Sequence, residues 1–328
     1  MEERNILCID LKSFFASCEC IERGLDPFTT PLVVADKTRG EGAITLAVTP
    51  FLKNKGVPSR GRIFEIPKNI KYITAQPRMS LYLKKSKEVI NIFLDFISSE
   101  DMHVYSIDES FLDVTDYLKL YKTDDITLAK KIMKKITDKT GLTSTCGIGP
   151  NLLLAKIALD IESKHSKNFI AKWTYNDVKT KLWNIEPLTE MWGIGPKTAK
   201  KLNNLGIKKV GDINKYPITF YKKRFGIIGE ELYLHANGID TSNIKKEKLE
   251  NKEKSYSISQ ILYKDYTIYN TPLIIKEMST TLAKRLRDNK KVGNTINFGI
   301  RYSKNIGKGF HHSRKLPQPT DDEKKIEL

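Results

Sequence analysis

Residues 102–115, MHVYSIDESFLDVT, predict two β-strands joined by a tight turn that carries two acidic residues. Val104 and Ile107 supply β-prone apolar positions before the turn. Asp108 and Glu109 are neighbours at its tip, where their carboxylates repel each other. A divalent cation would remove this repulsion and bind the hard carboxylate oxygens. A solvated surface turn is the competing interpretation, because aspartate is common in turns.

The N-terminus carries a third acidic residue that favours the metal interpretation. Residues 5–11, NILCIDL, predict a short buried strand with Asp10 near its end. An unpaired carboxylate is costly to bury in such a run, so Asp10 is poorly placed for folding alone. A helix is predicted to follow at residues 13–22, with Ser13 as its N-cap and Glu19 supporting that cap.

The order of the predicted elements brings the three acids together. Apart from an inserted segment, strands and helices follow the order β-α-β-β-α-β. In this split arrangement the first and third strands are central and adjacent, which places Asp10 next to Asp108 and Glu109. Three clustered carboxylates are typical of a two-metal phosphoryl-transfer centre, in which the two metal ions lie about 3.5–4 Å apart. Polymerase palms and nucleotide cyclases share this layout, so both remain candidates.

Two segments, DLKSFFASCE at residues 10–19 and SIDESFLD at residues 106–113, resemble the Y-family DNA polymerases, the translesion enzymes. The similarity covers nearly the whole chain and favours the UmuC-like branch of Gram-positive bacteria and their mobile elements. It implies an α+β multidomain fold with a ferredoxin-like βαββαβ palm, a small fingers insert, a helix–hairpin–helix thumb and an α/β little finger. The implied domains are the palm (1–23 and 76–168), fingers (24–75), thumb (169–238), a linker (239–255) and little finger (256–328).

The last domain is predicted to open with a strand, SYSISQIL, at residues 255–262. A helix at 272–287 and strands at 295–302 and 311–316 are predicted to follow. The segment PTDDE at residues 319–323 predicts the start of a final helix that ends after a turn or two. The resemblance therefore implies an incomplete little finger, and a sliding clamp that binds through a region not present in this chain.

By the resemblance, the three acids are catalytic residues that bind two Mg²⁺ ions, for which Mn²⁺ could substitute. Asp10, Asp108 and Glu109 would supply carboxylates, and the backbone carbonyl of Leu11 would be a further ligand. Phe15 matches the sugar gate of the family. Its flat ring would lie beneath the sugar and leave no room for a 2′-hydroxyl group.

Further nucleotide contacts are implied at Phe14, Thr49, Lys53 and Lys164. Phe14 fits a core position better than Phe15 does, and either lysine could instead be a solvated surface residue. Pro50 stands where many relatives outside this branch have a tyrosine against the triphosphate. Proline cannot donate a hydrogen bond, so that contact is expected to be absent or moved to Thr49.

Residues 188–206, LTEMWGIGPKTAKKLNNLG, resemble a helix–hairpin–helix element. Glycines in the hairpin would let backbone N–H groups approach a DNA phosphate, and the following helix N-terminus favours an anion. An ordinary glycine-containing helical turn is the alternative. The DNA contacts implied for this element and the little finger are Gly193, Gly195, Lys197, Thr198, Lys200 and Arg314.

The overall charge agrees with a nucleic-acid partner. The 328 residues carry a formal net charge of +17, with a pI of about 9.5, mostly from lysine. Lysine suits phosphate contacts more than base reading. Neither a membrane-spanning run nor a signal peptide is recognisable, so a cytoplasmic protein is expected. The scattered cysteines are expected to be reduced core thiols: Cys8, Cys18, Cys20 and Cys146.

The function expected from the resemblance is template-directed DNA synthesis of the translesion type. Deoxyribonucleotides would be added to a primer 3′ end, opposite damaged or undamaged template. A catalytically idle DNA-binding subunit of a repair or mobile-element system is the main alternative, although the three acids and the aromatic gate are intact. The helix–hairpin–helix segment argues against a nucleotide cyclase.

Overall fold

The chain divides into two compact units in a computed structural model. Residues 1–249 form the first unit and residues 250–328 the second. Most of the predicted linker, 246–254, lies outside the described residues. The finer domain boundaries stay a prediction. The structure describes residues 3–245, 255–262, 265–303 and 306–327.

Both units contain strands and helices among the described residues. The strands are β1 Ile6–Leu11, β2 Leu32–Ala35, β3 Thr45–Val48, β4 Ile73–Ala75, β5 Met102–Val104, β6 Glu109–Asp113, β7 Ser144–Gly149, β8 Ile170–Lys172, β9 Gly293–Ile300 and β10 Phe310–Thr320. The helices are α1 Phe14–Ile21, α2 Pro50–Asn54, α3 Met79–Leu94, α4 Thr115–Leu120, α5 Asp125–Thr140, α6 Leu152–Ile161, α7 Asp177–Thr180, α8 Pro196–Asn203, α9 Ile218–Phe225, α10 Ile227–Ala236, α11 Thr271–Asp288 and α12 Glu323–Glu327.

A five-stranded sheet in the order β5-β6-β1-β7-β8 forms the centre of the first unit. β1 is antiparallel to both β6 and β7, so the first and third strands of the predicted β-α-β-β-α-β order are adjacent. The α+β fold class predicted from the sequence is confirmed. Because β1 lies between two partners, its backbone is fixed on both sides.

The two faces of β1 meet different helices because side chains alternate along a strand. Leu7, Ile9 and Leu11 join the large core that also contains residues of α3 and α5. Cys8 packs in a smaller cluster with α6. α6 approaches the sheet closely over Gly147, where an added Cβ would collide with the backbone of α6. Asp10, two residues after Cys8, therefore points to the α6 face.

The inserted segment folds into its own three-stranded sheet in the order β3-β2-β4. β2 and β3 pair antiparallel, and β4 joins β2 in parallel. β4 was not predicted, since three residues are too few to show a period. A separate core beneath this sheet includes Val33, Val48 and Leu52.

The start of α1 differs from its prediction. Ser13 does not cap the helix: its backbone is left-handed, with φ 51°, and its buried Oγ has no hydrogen-bond partner among the described residues. The sharp reversal between β1 and α1 turns the side chain away from the first helical N–H groups. Glu19 does not support a cap either. It is fully buried and accepts a hydrogen bond from Tyr82.

The second unit pairs β9 with β10 in an antiparallel sheet next to α11. The strand predicted at 255–262 is wrong: these residues have no regular structure, because no neighbouring strand pairs with them. Its first aromatic residue, Tyr256, instead packs against the small core around Ala283 and Leu286. β10 extends beyond its predicted end, as far as Thr320.

All four cysteines are buried and none forms a disulfide, which confirms the predicted core thiols. Within the described residues, every helix is too short or too polar to cross a membrane.

Candidate active site

The backbone brings the three predicted acids to one end of the central sheet. Asp10 and Glu109 lie directly opposite each other in the β1–β6 register. The N–H of Leu11 donates to the carbonyl oxygen of Asp108 at 2.9 Å, which fixes the turn before β6 against the end of β1. Residues almost a hundred positions apart therefore converge. Their role as metal ligands stays a prediction.

Asp10 is costly to ionise, as its place in a buried strand suggested. The pKa of this carboxyl group is raised to about 7, mainly by burial and also by the charges of Asp108 and Glu109. Lys164 and Lys156 oppose the shift without cancelling it. The surroundings of Asp10 therefore disfavour its ionised form, and the two lysines offset this only in part.

Glu109 is held by two buried partners. Lys156 on α6 donates from Nζ to Oε2 at 2.8 Å, and the Cys8 thiol donates to Oε1 at 3.3 Å. Burial would lower the pKa of Lys156, but Glu109 outweighs it and raises this pKa above its usual value. Both oxygens of Glu109 are engaged, and no three His, Cys, Asp or Glu side chains of the described residues form a ready metal cluster.

Asp108 and Asp160 also accept hydrogen bonds from neighbouring side chains. The hydroxyl group of Ser106 donates to Oδ1 of Asp108 at 2.7 Å. Asp160 accepts from Lys156 at 3.2 Å and from Lys164 at 2.7 Å. The lysines on one side of the site are thus oriented by Asp160.

Lys164, Lys53 and Lys12 surround the acids with positive charge. Lys164 acts electrostatically on Asp10, and the exposed Lys53 lies within electrostatic range of Asp10 and Asp108. Lys12, to which no role was assigned, donates to the carbonyl oxygen of Lys164 at 3.3 Å. Both lysines predicted from the resemblance therefore border the carboxylate site.

The two phenylalanines at the start of α1 differ in burial. Phe14 is only 2% exposed and belongs to the central core, so its side chain packs inside the protein. Phe15 is half-buried, and its ring stacks on Tyr82 with centroids 4.3 Å apart and an angle of 13°. The residue predicted as the gate is the accessible member of the pair.

Thr49, for which a triphosphate contact was suggested, uses its hydroxyl group within the protein. The residue is fully buried, and its hydroxyl group donates to the Thr30 carbonyl oxygen at 2.8 Å. The same oxygen accepts from the Leu32 N–H at 3.2 Å. Its hydroxyl group is used to hold the loop before β2 against α2, and a nucleotide contact at Thr49 stays a prediction.

The predicted hairpin lies at the start of α8, on the surface. Gly193 has φ 90°, a conformation that favours glycine, and Gly195 is the N-cap residue of α8. Both glycines are exposed, with open space where a side chain would stand. A single 3₁₀ turn, Leu188–Glu190, precedes the hairpin. The same surface carries three exposed lysines, Lys197, Lys200 and Lys201, and the half-buried Thr198.

Arg314 is exposed on β10 of the second unit, opposite Ile296 of β9. Asp113, a further acid of β6, pairs with Arg4 at 2.8 Å. It lies at the far end of β6 from Glu109 and belongs to the structure of the sheet rather than to the site.

The sequence reasoning missed Lys156, Tyr82 and Glu19. One signal was available for the lysine: it stands alone in LLLAKIAL, and a buried lysine requires a charged partner. The partner of Lys156 could not be predicted from the sequence, because Glu109 lies 47 positions away along the chain.

Comparison with family models gives three matches along the chain. Residues 9–160 match the model described as the impB/mucB/samB family. Residues 175–207 match the IMS family HHH motif, and residues 253–327 match the impB/mucB/samB family C-terminal domain. The hairpin before α8 lies within the second of these segments.

Similar proteins of known sequence cover almost the whole chain. A Putative UV-damage repair protein UvrX of Bacillus subtilis is 42% identical over 97% of this chain and 75% of its own length. DNA polymerase IV 2 of the same organism is 32% identical, with 98% and 77% covered. DNA polymerase IV of Moorella thermoacetica is 30% identical, with 97% and 77% covered.

A solved structure shares the fold. The Y-family DNA polymerase chimera Dbh-Dpo4(243-245)-Dbh superposes with a TM-score of 0.74 over 98% of this chain and 90% of that chain. Its sequence identity of 21% makes this a similarity of fold alone.

Proposed function

The chain belongs to the Y-family of DNA polymerases, and from that premise we propose that it extends a primer on damaged or undamaged template. The observation that carries this proposal is the convergence of Asp10, Asp108 and Glu109 at the β1–β6 end of the central sheet. Nucleotidyl transfer needs positioning and charge neutralisation more than covalent chemistry from the protein. A group of partly buried carboxylates bordered by lysines meets both needs.

The residues at this site fit divalent cations. Their donors are hard carboxylate oxygens, which suit Mg²⁺ and also Mn²⁺. A cation would relieve the repulsion that contributes to the raised pKa of Asp10. We assign Asp10, Asp108, Glu109 and the Leu11 carbonyl as the metal-binding groups. When bound, the metals would activate the primer 3′-hydroxyl and neutralise the triphosphate.

The triphosphate is proposed to lie between Lys164, Lys53 and the start of α1. Ser13 leaves α1 without a side-chain cap, so the first N–H groups of the helix remain for another acceptor. Helix N-termini favour phosphate. The left-handed backbone of Ser13 is the kind of local strain that recurs at ligand sites.

Phe15 is proposed to select the sugar. It follows Asp10 by five residues, and its half-buried ring is fixed on one face by Tyr82. A rigid ring at that position would exclude a 2′-hydroxyl group by contact alone. Phe14, which is buried, is left out of this role.

Primer–template DNA is proposed to contact the hairpin before α8 through phosphate groups. The exposed glycines allow close approach of the backbone, and Lys197 and Lys200 supply charge without base specificity. Arg314 on β10 is proposed as a contact from the second unit. The sliding clamp stays a predicted partner.

Primer extension by the purified chain tests the proposed function. A labelled primer on an undamaged template and on one with an abasic site should lengthen with deoxyribonucleotides and Mg²⁺, and should stop when a chelator is added. Binding of the same DNA without extension under either metal would instead support the idle DNA-binding subunit. Release of a cyclic nucleotide from ATP or GTP would support a cyclase.

A further inference from the structure

The ring of Phe15 rests on a second aromatic ring from another helix. Tyr82 belongs to α3 and is fully buried, and the two rings are nearly parallel at 4.3 Å. Phe15 also meets Phe14 at 5.6 Å, but that pair is tilted by 48°. Tyr82 therefore forms the flat floor beneath Phe15.

Tyr82 is also hydrogen-bonded to α1, one helical turn after Phe15. Its hydroxyl group donates to Oε1 of Glu19 at 2.8 Å. Phe15 and Glu19 are four positions apart on α1, so they project from the same face of the helix. Tyr82 contacts both, one through its ring and the other through its oxygen.

Glu19 is a buried charge with several donors. Arg78 donates from Nε to Oε1 at 3.0 Å and from Nη2 to Oε2 at 2.7 Å, and Arg23 also pairs with this carboxylate. Burial would raise the pKa of Glu19, but hydrogen bonds from Arg78, Arg23 and Tyr82 outweigh it and lower the pKa. A charge so buried is costly and needs this full set of partners.

We propose that Tyr82, held by Glu19 and Arg78, is a positioning residue that fixes the ring of Phe15 and thereby sets discrimination between deoxyribonucleotides and ribonucleotides. This inference rests on the proposed role of Phe15 as the sugar gate. Tyr82 is buried beneath that ring and acts through it, rather than by touching the nucleotide.

The physical reason is that the Phe15 ring can move when the Tyr82 ring beneath it is removed. A phenylalanine ring that lacks a stacking partner can tilt about its side-chain bonds, which opens space beside the sugar. A ribonucleotide gains from that space because its 2′-hydroxyl no longer collides. A deoxyribonucleotide has no such group, so its efficiency serves as the internal reference.

The experiment measures kcat/KM for one deoxyribonucleotide and its matching ribonucleotide in four variants. Tyr82→Leu should lower the deoxy-to-ribo ratio about fivefold, the factor that corresponds to a lost aromatic pair. Tyr82→Phe keeps the ring and should retain at least about half of the ratio. Phe15→Ala should lower the ratio most. Leu128→Ala, in the same core but on α5, should leave the ratio unchanged.

Three outcomes would overturn the inference in distinguishable ways. An unchanged ratio in Tyr82→Leu, with a lowered ratio in Phe15→Ala, would remove Tyr82 and leave the gate. An equal loss for both nucleotides in Tyr82→Leu, matching Leu128→Ala, would make Tyr82 a structural residue only. An unchanged ratio in Phe15→Ala would overturn the gate itself, and with it the role of its floor.

Discussion

The carboxylate site on the central sheet and the hairpin before α8 place charge in opposite ways. At the first, two of the three acids are fixed by partners: Glu109 is 7% exposed and bound to Lys156, and Asp108 is bound to Ser106. At the second, Gly193 and Lys197 are exposed, and open space surrounds the glycine. One region depends on a few exact side-chain positions, and the other on backbone shape and diffuse charge.

The difference follows from what each region is proposed to bind. Reacting atoms must be held within a few tenths of an ångström, which requires buried and fully bonded side chains. A DNA backbone passing the hairpin only needs phosphate attraction, which tolerates movement and is screened by salt. Single substitutions should therefore have large effects at the carboxylates and small, salt-dependent effects at the hairpin.

The largest effect is expected for Asp108→Asn. Removing one charge from the centre should reduce kcat about 1000-fold, by analogy with other losses of transition-state charge stabilisation. DNA affinity should stay within about twofold at matched salt, because the hairpin is untouched. Single-turnover primer extension and a binding titration measure the two quantities. A loss of DNA affinity as large as the loss of rate would contradict the proposed division of roles between the two regions.

A stability effect is expected next, from Lys156→Met. Glu109 would remain buried without its partner, so the free energy of unfolding should fall by about 3 kcal/mol. Lys164→Met is the matched control, since that lysine is 35% exposed and its ion pair should contribute less than about 1 kcal/mol. Urea denaturation of both variants checks this order.

The double variant Lys156→Met with Glu109→Gln sharpens the same comparison. Removing both charges should restore most of the stability lost in Lys156→Met, because no buried charge is left unpaired. Equal stability of the single and double variants would show that the lysine contributes packing rather than charge.

The sequence was sufficient to predict the central sheet and the convergence of the three acids, because both follow from the order of short apolar strands. Asp10 lay in such a strand, and the split topology placed it opposite Glu109. The partners of the acids were hidden. Lys156 and Glu109 meet across 47 positions, and Tyr82 and Glu19 across 63. The error at residues 255–262 has the same origin, since alternation cannot show whether a partner strand exists.

A smaller effect is expected from Asp10→Asn in metal-free protein. The folded-state pKa of Asp10 is raised to about 7 from 3.8. Between these pH values the folded state keeps a proton that the unfolded state has lost, so wild-type stability falls as pH rises towards 7. Asparagine does not titrate, so the variant should become more stable than the wild type as the pH rises to 8 and should be about equal to it near pH 4.

Mg²⁺ provides the control for this prediction. The cation should stabilise the wild type more than Asp10→Asn and narrow the difference at pH 8. Thermal unfolding with a chelator and with Mg²⁺ measures both. A stability difference that does not change between pH 4 and pH 8 would contradict the raised pKa.

The smallest effect is expected from Lys197→Ala at the hairpin. Losing one phosphate contact should weaken DNA binding about threefold near physiological salt and reduce the slope of log affinity against log salt by about 1. The extension rate at saturating DNA should not change, because the carboxylates are intact. Lys215→Ala is the matched control: this exposed lysine pairs with Asp212 and lies outside the hairpin. A reduced rate with an unchanged salt slope would place Lys197 with the catalytic group and break the contrast between the two regions.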